Sequence, residues 1–506
     1  MYKLILTILL LFSLGTNSLF AQDEFADFES ELNEAFGDDE FSDQSKEKSN
    51  EGSFGEEQTL LLTGMIEIEQ GGHMGKTGVH QREWIMSSTR GRIAASKNLD
   101  VGSFFLKLDF IDDRVLKRQE FDLREGRIRI SPWSWVDLSV GKQVVTWGVA
   151  DMLYINDLFP KNWVANFLGR DMEDMKDSAF SYRMTSYFGS GGLDLVYHPD
   201  FAPDTTPTGC RFAIYNPNSM MDNTQESLVS NREACDSTRE NSLQTGEYSE
   251  GEFASRLYHR FGSHEVGLYT YSGFYKNPRG LQWADSAGKP TGNKMATPES
   301  GDAMLIADYP RLNVYGFSAE GQLGPGIYSM EFGFYDSRED REGENPLIEN
   351  SSNKFLAGYR LALSQHLSLG AQIFQEQMNQ YEAYEFGLLQ MVTNQLIAQG
   401  TSSASAEQLA EKEDLYQFRK EEIHNTFTLR ATFKAQQDTI WINFFIYERP
   451  QDHDRMIKLD LTKRFDDQVE VVIGANIFEG DENYLDREFA MHKDDDNAFL
   501  RLRYSY

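Results

Sequence analysis

Basic residues are the groups in this sequence that most clearly indicate a chemical role. Many of them share one face of segments in which polar and apolar residues alternate. Arg127 and Arg129, like Arg501 and Arg503, flank an apolar residue. Alternate residues of a strand point to the same face. A ring of such cations around a pore favours anions. The fifteen residues assigned to this face are Arg90, Arg92, Lys107, Arg127, Arg129, Arg183, Arg256, Arg260, Arg360, Arg430, Lys434, Lys458, Arg464, Arg501 and Arg503.

Acidic residues occur on the same face in smaller number, which leaves two interpretations open. Most of the charges could form salt bridges that stiffen a wall. The excess of positive charge could instead act on anions that pass along the wall. A register error of one residue would exchange the faces of an entire segment.

Residues for enzymatic chemistry do not form a recognisable motif. The nine histidines are scattered, and no His-x-x-x-His pair indicates a metal site. Neither a Gly-x-Ser-x-Gly elbow nor a phosphate-binding glycine loop occurs. The sequence therefore predicts no enzyme, no metal site and no cofactor. An outer-membrane enzyme stays as an alternative, because catalytic residues can meet on one wall without a sequence motif.

Alternating segments of roughly ten residues must position these charges. The sequence contains about eighteen of them, including 101–111, 424–435 and 497–506, and each has the length of a tilted membrane strand. Short connections alternate with mostly long ones. We predict an all-β, antiparallel transmembrane β-barrel of 16–18 strands, with short periplasmic turns and long extracellular loops. A soluble sandwich or propeller would have no reason to alternate its loops so regularly.

The N-terminus directs the chain out of the cytoplasm. Lys3 precedes an apolar run from Leu4 to Leu14, so residues 1–21 are predicted to be a signal peptide. No later apolar run is long enough for a membrane helix, and aromatic residues make up 13% of the chain. Aromatic girdles are typical of barrels in the outer membrane, where we place the chain surrounded by lipid. The net charge of −32 argues against nucleic-acid binding.

Residues 22–58 form a separate acidic segment before the predicted barrel at 59–506. Fourteen acidic residues and two lysines give the segment a net charge of −12. Phe25, Phe28, Leu32 and Phe36 recur at helical spacing, which predicts a short amphipathic helix in the periplasm. We interpret this helix as a plug for a positively charged lumen. A disordered tail and a docking peptide for a periplasmic partner are the alternatives.

The connection 148–177 is unusually apolar for an exposed loop. We predict that it folds into the barrel mouth or binds an apolar molecule, with Trp147, Gly148, Asp151, Leu153, Asp157 and Pro160 as the inward candidates. Elsewhere, Cys210 and Cys235 are the only two cysteines of an exported chain. They are predicted to form a disulfide within one extracellular loop.

The C-terminal strand carries an assembly signal. Leu500, Leu502, Tyr504 and Tyr506 share one face of the sequence "FLRLRYSY". A last strand with a terminal aromatic residue resembles the signal read by the outer-membrane barrel assembly machinery, which is therefore an expected partner.

Residues 136–163 resemble a stretch in a family of large proteobacterial outer-membrane barrel proteins of unknown function. The matching residues are Gly141, Lys142, Gln143, Val145, Trp147, Gly148, Asp151, Leu153, Asp157 and Pro160. The sequence at 193–207 also resembles the family, so the resemblance covers about 60–210. It implies a barrel near resistance-nodulation type envelope transporters and a periplasmic lipoprotein. It also implies export or trafficking of a hydrophobic or lipid-like molecule.

Three functions follow from these patterns. The leading hypothesis is a porin-like channel or export conduit for hydrophobic, lipid-like or anionic molecules, because eighteen strands enclose a lumen wide enough for a solute. The second is an adhesion or binding barrel that uses the loops 199–250 and 380–423. The third is the outer-membrane enzyme.

Overall fold

The computed structural model describes residues 60–75, 84–99, 101–150, 153–215, 228–229, 251–284, 304–398, 400–410, 419–481 and 487–506. The predicted signal peptide, the segment 22–58 with its plug residues Phe25, Phe28, Leu32 and Phe36, and also Asp151 and Cys235 lie outside the described residues. Cys210 is buried, and its disulfide with Cys235 stays a prediction.

The described chain consists mainly of β-strands. In chain order they are β1 (Leu61–His73), β2 (Trp84–Leu99), β3 (Gly102–Asp113), β4 (Arg118–Trp133), β5 (Val136–Gln143), β6 (Ala179–Phe188), β7 (Gly191–His198), β8 (Ile214–Tyr215), β9 (Leu228–Val229), β10 (Glu252–Phe261), β11 (His264–Phe274), β12 (Gly280–Ala284), β13 (Met304–Asp308), β14 (Arg311–Leu323), β15 (Gly326–Ser337), β16 (Ser352–Ser364), β17 (Leu367–Met378), β18 (Ile423–Ala435), β19 (Ile440–Arg449), β20 (Asp454–Arg464), β21 (Val469–Glu479) and β22 (Asn497–Ser505).

Eighteen of these strands form one closed antiparallel sheet. Barrel strands that follow each other in the chain are paired, and β1 closes the ring because it pairs with β2 on one edge and β22 on the other. The hairpins β8–β9 and β12–β13 lie outside this sheet. The structure thus confirms the predicted barrel, and its eighteen strands are the upper end of the predicted range of 16–18.

The two faces of the barrel wall differ in polarity. On β1, the side chains of Glu67 and Glu69 are fully buried, whereas Ile66 and Ile68 are about half exposed, at 52% and 48%. Other strands repeat this pattern, with Ile93, Leu268 and many similar residues exposed. A closed barrel leaves no backbone edge unpaired in lipid, and its apolar outer face fits a bilayer. The chain is therefore an outer-membrane protein.

Connections at the two ends of the barrel have different lengths. At one end the strands are joined by tight turns, in which Gly189 and Gly324 adopt positive φ of 58° and 61°. The other end carries most of the long connections, although 114–117 and 450–453 are short there. Tight turns mark the periplasmic side of outer-membrane barrels. We call the two ends the periplasmic side and the extracellular side.

Helices occur within the long extracellular connections. Helices α1 (Trp163–Phe167) and α2 (Met172–Met175) lie between β5 and β6, and α3 (Tyr381–Ala398) and α4 (Ser403–Ala410) lie between β17 and β18. The second pair shows that the region 380–423, predicted only as a long loop, has regular structure of its own. None of the helices in the described residues is long and apolar enough to cross a membrane.

Candidate lumen gate

The connection between β5 and β6, residues 144–178, is described at 144–150 and 153–178, and these residues enter the barrel and cross its interior. We call it the inner loop. Its first part bonds to β15, and its last part bonds to β1, β2 and β22 on another part of the wall. Because these strands lie far apart around the ring, the inner loop spans the lumen. The structure thus places the predicted inward connection inside the barrel.

Glu331 of β15 holds the first part of the inner loop. Its buried carboxylate accepts hydrogen bonds from the backbone N–H groups of Val149 at 2.6 Å, Ala150 at 3.0 Å and Asn156 at 3.0 Å. The Nδ2 atom of Asn156 donates a fourth bond at 2.8 Å. Gly148 has a φ of +94°, and an added Cβ would meet Glu331 Oε1 at 2.8 Å. Only glycine therefore fits easily where the loop bends around this carboxylate.

Apolar contacts and one buried ion pair stabilise the middle of the inner loop. Trp147 packs edge-on against Phe159, with ring centroids 4.8 Å apart. Asp157 accepts hydrogen bonds from Thr146 Oγ1 at 2.6 Å and Lys161 Nζ at 2.8 Å. Inside the barrel, the structure brings together the described inward candidates Trp147, Gly148, Leu153, Asp157 and Pro160.

Three carboxylates at the far end of the inner loop reach the opposite wall. We call Asp171, Glu173 and Asp174 the acidic tip. Asp174 accepts hydrogen bonds from Arg90 at 2.7 Å and Arg92 at 2.9 Å, both on β2. Both of these hydrogen bonds come from guanidinium groups, and the positive charge of the donor strengthens each bond.

The other two carboxylates of the acidic tip bind neighbouring strands. Asp171 pairs with Arg501 at 3.0 Å and also with Arg503, both on β22. Glu173 accepts a hydrogen bond from Lys107 of β3 at 2.7 Å. Arg92 also lies 3.3 Å from Glu173. The acidic tip is thus bound by Lys107 and by four arginines of the strands, which are Arg90, Arg92, Arg501 and Arg503.

Two further arginines attach the inner loop to the wall, one through a carboxylate of the wall and the other through backbone carbonyl groups of the loop. Arg170, next to the acidic tip, donates to Glu69 of β1 at 2.6 Å and 3.1 Å. Arg124 of β4 donates to the backbone carbonyl groups of Glu173 at 2.9 Å and Lys176 at 2.6 Å. These bonds fix the backbone of the inner loop as well as its side chains.

The arginines hold the acidic tip in its charged form. Burial alone would raise the pKa of Asp174, but Arg90 and Arg92 hold that pKa well below its usual range. Enclosure within the barrel likewise opposes the charged form of Asp171, although its side chain is partly exposed to lumen water, and Arg503 and Arg501 lower its pKa. Attachment of the acidic tip therefore favours the ionised carboxylates.

We expect the acidic tip to detach at low pH. The carboxyl groups have a lower pKa in the docked tip than in the detached tip. Docking is therefore fully favoured above the ordinary carboxyl pKa of about 4, which applies to the detached tip. It is lost as the pH falls through the lower pKa of the docked groups. Hydrogen exchange of residues 165–178, corrected for its intrinsic pH dependence, should show equal protection at about pH 7 and about pH 5, and lower protection below about pH 4. Loss of protection near about pH 6 would contradict this assignment.

Aromatic side chains close the extracellular part of the lumen. Phe167 of α1 lies at the centre, with ring centroids 6.0 Å from Phe212, 5.4 Å from Phe478, 6.0 Å from Phe489 and 5.1 Å from His492. These residues come from three connections and from the end of β21. Besides the end of β21, two other connections therefore pack on the inner loop from the extracellular side, the one between β7 and β10 and the one between β21 and β22.

The remaining predicted basic residues lie on the inward face, away from the acidic tip. Lys458 donates to Asn166 of the inner loop at 2.7 Å. Arg129 occupies the inward position after Arg127 on β4. The others contact a residue of another strand: Arg183 with Asp194, Arg256 and Arg260 with Glu265, Arg360 with Glu320, Arg464 with Glu470, Arg127 with Phe105, Arg430 with Phe445, and Lys434 with Trp441.

Sequence reasoning did not single out Glu331, Arg170 or the acidic tip. Glu331 looks like any inward carboxylate of a strand, and charges in a loop are usually solvated. One signal was available, because the sequence "RDMEDMKDS" concentrates charge in an otherwise apolar connection.

Comparisons with known proteins return barrels of low similarity. No protein-family model matches the chain, and no curated protein matches it. Pseudomonas aeruginosa OccK5 (OpdH) is 8% identical, with 88% of this chain and 97% of that chain covered and a TM-score of 0.46. Salmonella typhi OmpF, solved with daunomycin, is 8% identical, with 89% and 98% covered and a TM-score of 0.40. A loop L8 deletion mutant of Vibrio cholerae OmpT is 9% identical, with 89% and 100% covered and a TM-score of 0.39.

Proposed function

We propose that this protein is a gated outer-membrane channel for small solutes, in which the inner loop closes the lumen. The observation that carries the proposal is the double attachment of the inner loop, to Glu331 on one wall and to arginines on another. Both attachments are non-covalent, so the inner loop can leave the lumen while the closed sheet remains intact.

Charged side chains favour anionic solutes in this channel. The periplasmic half of the wall presents Arg430, Lys434 and Arg464 around the aromatic ring of Trp441 and its neighbours. A lumen with such cations attracts anions. The apolar interior, in contrast, is filled by side chains of the inner loop such as Trp147. Hydrophobic or lipid-like solutes would have to displace these side chains.

We also propose, from the resemblance at 136–163, that the channel works with an envelope transporter of the resistance-nodulation type and a periplasmic lipoprotein. Both partners would approach the periplasmic side, where tight turns join the strands. Cross-linking in whole cells followed by mass spectrometry tests this. Cross-links to such a transporter or lipoprotein support the partnership, and their absence at full expression of all three proteins contradicts it.

Planar-bilayer recording tests the channel and its gate. Gln143 and Ala179 are paired neighbours in β5 and β6, so a short glycine-rich turn can replace residues 144–178 without moving the strands. We expect the wild-type protein to conduct in rare openings and the loop-less barrel to conduct steadily, with a several-fold larger mean current. In a salt gradient, the reversal potential of the loop-less barrel should indicate anion preference.

A second deletion provides the matched control. Residues 339–350 connect β15 and β16 on the extracellular side, and their replacement by a short turn should leave the current close to wild type. A loop-less barrel that folds, as shown by a heat-modifiable band on gels, but passes no ions would overturn the proposal.

A further inference from the structure

The acidic tip occupies a cluster of arginines that already have partners on the wall. On β2, Arg90 binds Glu67 at 2.6 Å in addition to Asp174, and Arg92 binds Asp109 at 2.7 Å in addition to Asp174. Each guanidinium group is thus shared between the wall and the acidic tip, and Arg92 contacts both Asp174 and Glu173 of the tip.

The same sharing occurs on β22. Arg501 binds Glu69 at 3.2 Å and Asp171 at 3.0 Å, and Arg503 binds Glu67 at 2.6 Å as well as Asp171. We call Arg90, Arg92, Arg501 and Arg503 the arginine site. The wall carboxylates fix the arginine side chains, so the site keeps its shape when the acidic tip departs.

Solvent reaches one side of this site. The side chain of Arg501 is 1% exposed, whereas those of Asp171 and Glu173 are 43% and 58% exposed. The arginines are therefore held in the wall. Asp171 and Glu173 face the water of the lumen, whereas Asp174, which binds Arg90 and Arg92, is only 5% exposed. A dissolved anion can approach where the acidic tip now lies.

The spacing of the strands limits the size of that anion. β2 and β22 lie on either side of β1, and neighbouring strands are about 4.8 Å apart, so the two arginine pairs originate roughly 10 Å from each other. Asp171 serves one pair and Asp174 the other, three residues apart on one short helical turn. A single small molecule needs at least two anionic groups to bind both pairs.

We propose that the arginine site binds a compact polyanionic solute, with two or more carboxylate or phosphate groups, and that this solute opens the channel by displacing the acidic tip. The inference rests on the proposed channel function. The acidic tip then acts as a built-in competitor, which mimics the solute and keeps the lumen closed in its absence. The free energy of solute binding compensates for the lost contacts between the acidic tip and the arginine site. A ligand shifts a gating equilibrium only when it binds the open state more tightly than the closed state.

Bilayer recording at constant ionic strength tests the competition. Tricarballylate or pyrophosphate on the periplasmic side should raise the open fraction of the wild-type channel by about tenfold, in a saturable way. Acetate at matched ionic strength should have no such effect, because it cannot bind both arginine pairs. A response to tricarballylate alone assigns the site to polycarboxylates, and a response to pyrophosphate alone assigns it to compounds with two or more phosphate groups.

Neutral variants separate the acidic tip from charge in general. The triple variant D171N/E173Q/D174N should open without any added anion and respond no further to one. The matched variant D336N/E448Q/E479Q removes three carboxylates from ion pairs with Arg341 and Arg455 near the extracellular rim. It should behave as wild type.

Calorimetry on the loop-less barrel distinguishes failure of this inference from failure of the channel. Tricarballylate or pyrophosphate should bind the loop-less barrel more tightly than the wild-type protein, and Arg501→Gln should weaken that binding. No binding by a barrel that conducts would overturn the inference alone. Equal effects of acetate and the polyanions would overturn it as well. A loop-less barrel that binds polyanions but conducts no ions would support the arginine site and overturn the proposed channel function.

Discussion

Replacing Glu331 with alanine should destabilise the folded barrel by about 3–5 kcal/mol. The carboxylate accepts four hydrogen bonds from the start of the inner loop, and alanine would leave these buried N–H groups without an acceptor. Water cannot easily replace it, because the side chain is 1% exposed. Urea unfolding in lipid vesicles, followed by tryptophan fluorescence, measures the change.

Two further variants show whether the loss comes from the four hydrogen bonds. Glu331→Gln keeps one acceptor oxygen in the same shape, so its cost should lie between those of wild type and alanine. Glu320→Ala removes an inward carboxylate of β14 that pairs with Arg360 at 2.7 Å and is partly exposed, so about 1 kcal/mol is expected. Equal destabilisation by Glu331→Ala and Glu320→Ala would mean that packing around Trp147, rather than Glu331, holds the loop.

Removing Tyr504–Tyr506 should reduce the amount of assembled barrel by about tenfold or more, because unpaired backbone groups in lipid cost several kcal/mol each. Tyr506 N donates to Gly64 O at 2.9 Å, and Gly64 N donates to Tyr506 O at 3.0 Å. Ser505 N donates to Gln468 O at 2.8 Å. These bonds close the ring between β1, β22 and β21 on the periplasmic side. Heat-modifiable barrel in isolated outer membranes gives the amount.

An alanine variant separates backbone closure from recognition of the terminal aromatic residue. Tyr504→Ala with Tyr506→Ala keeps every backbone bond and removes both rings. Normal assembly of this variant would assign the effect of the deletion to the backbone, and failure would assign it to the assembly signal. Normal amounts of barrel after the deletion itself would contradict the prediction.

The strands could be predicted because lipid imposes a simple rule on them. Every second residue must be apolar on the outer face, and the segments 101–111, 424–435 and 497–506 coincide closely with β3, β18 and β22. The rule fails where the chain leaves the membrane. The helices α3 and α4 were missed for that reason, since their apolar residues pack locally rather than against lipid.

The gate depends on contacts between residues that are far apart in sequence. Glu331 is separated from Val149 by 182 positions, and Arg501 from Asp171 by 330, so no local pattern relates them. The apolar residues of the inner loop predict that it folds into the barrel mouth or binds an apolar molecule, but they do not indicate which strands it contacts. Counting charges from the sequence predicts a positive lumen. Strand carboxylates outside that count, such as Glu265 and Glu320, pair with counted arginines, and the acidic tip adds three more carboxylates from a loop.

Both ends of the inner loop are fixed in the wall, because β5 and β6 are paired at Gln143 and Ala179. The acidic tip therefore stays within reach of the arginine site after it detaches, and its effective concentration there is on the order of millimolar. A free solute of equal intrinsic affinity opens the channel only when its own concentration reaches that range. The tether thus sets a concentration threshold for opening, and the gate closes again without an energy source once the solute is depleted.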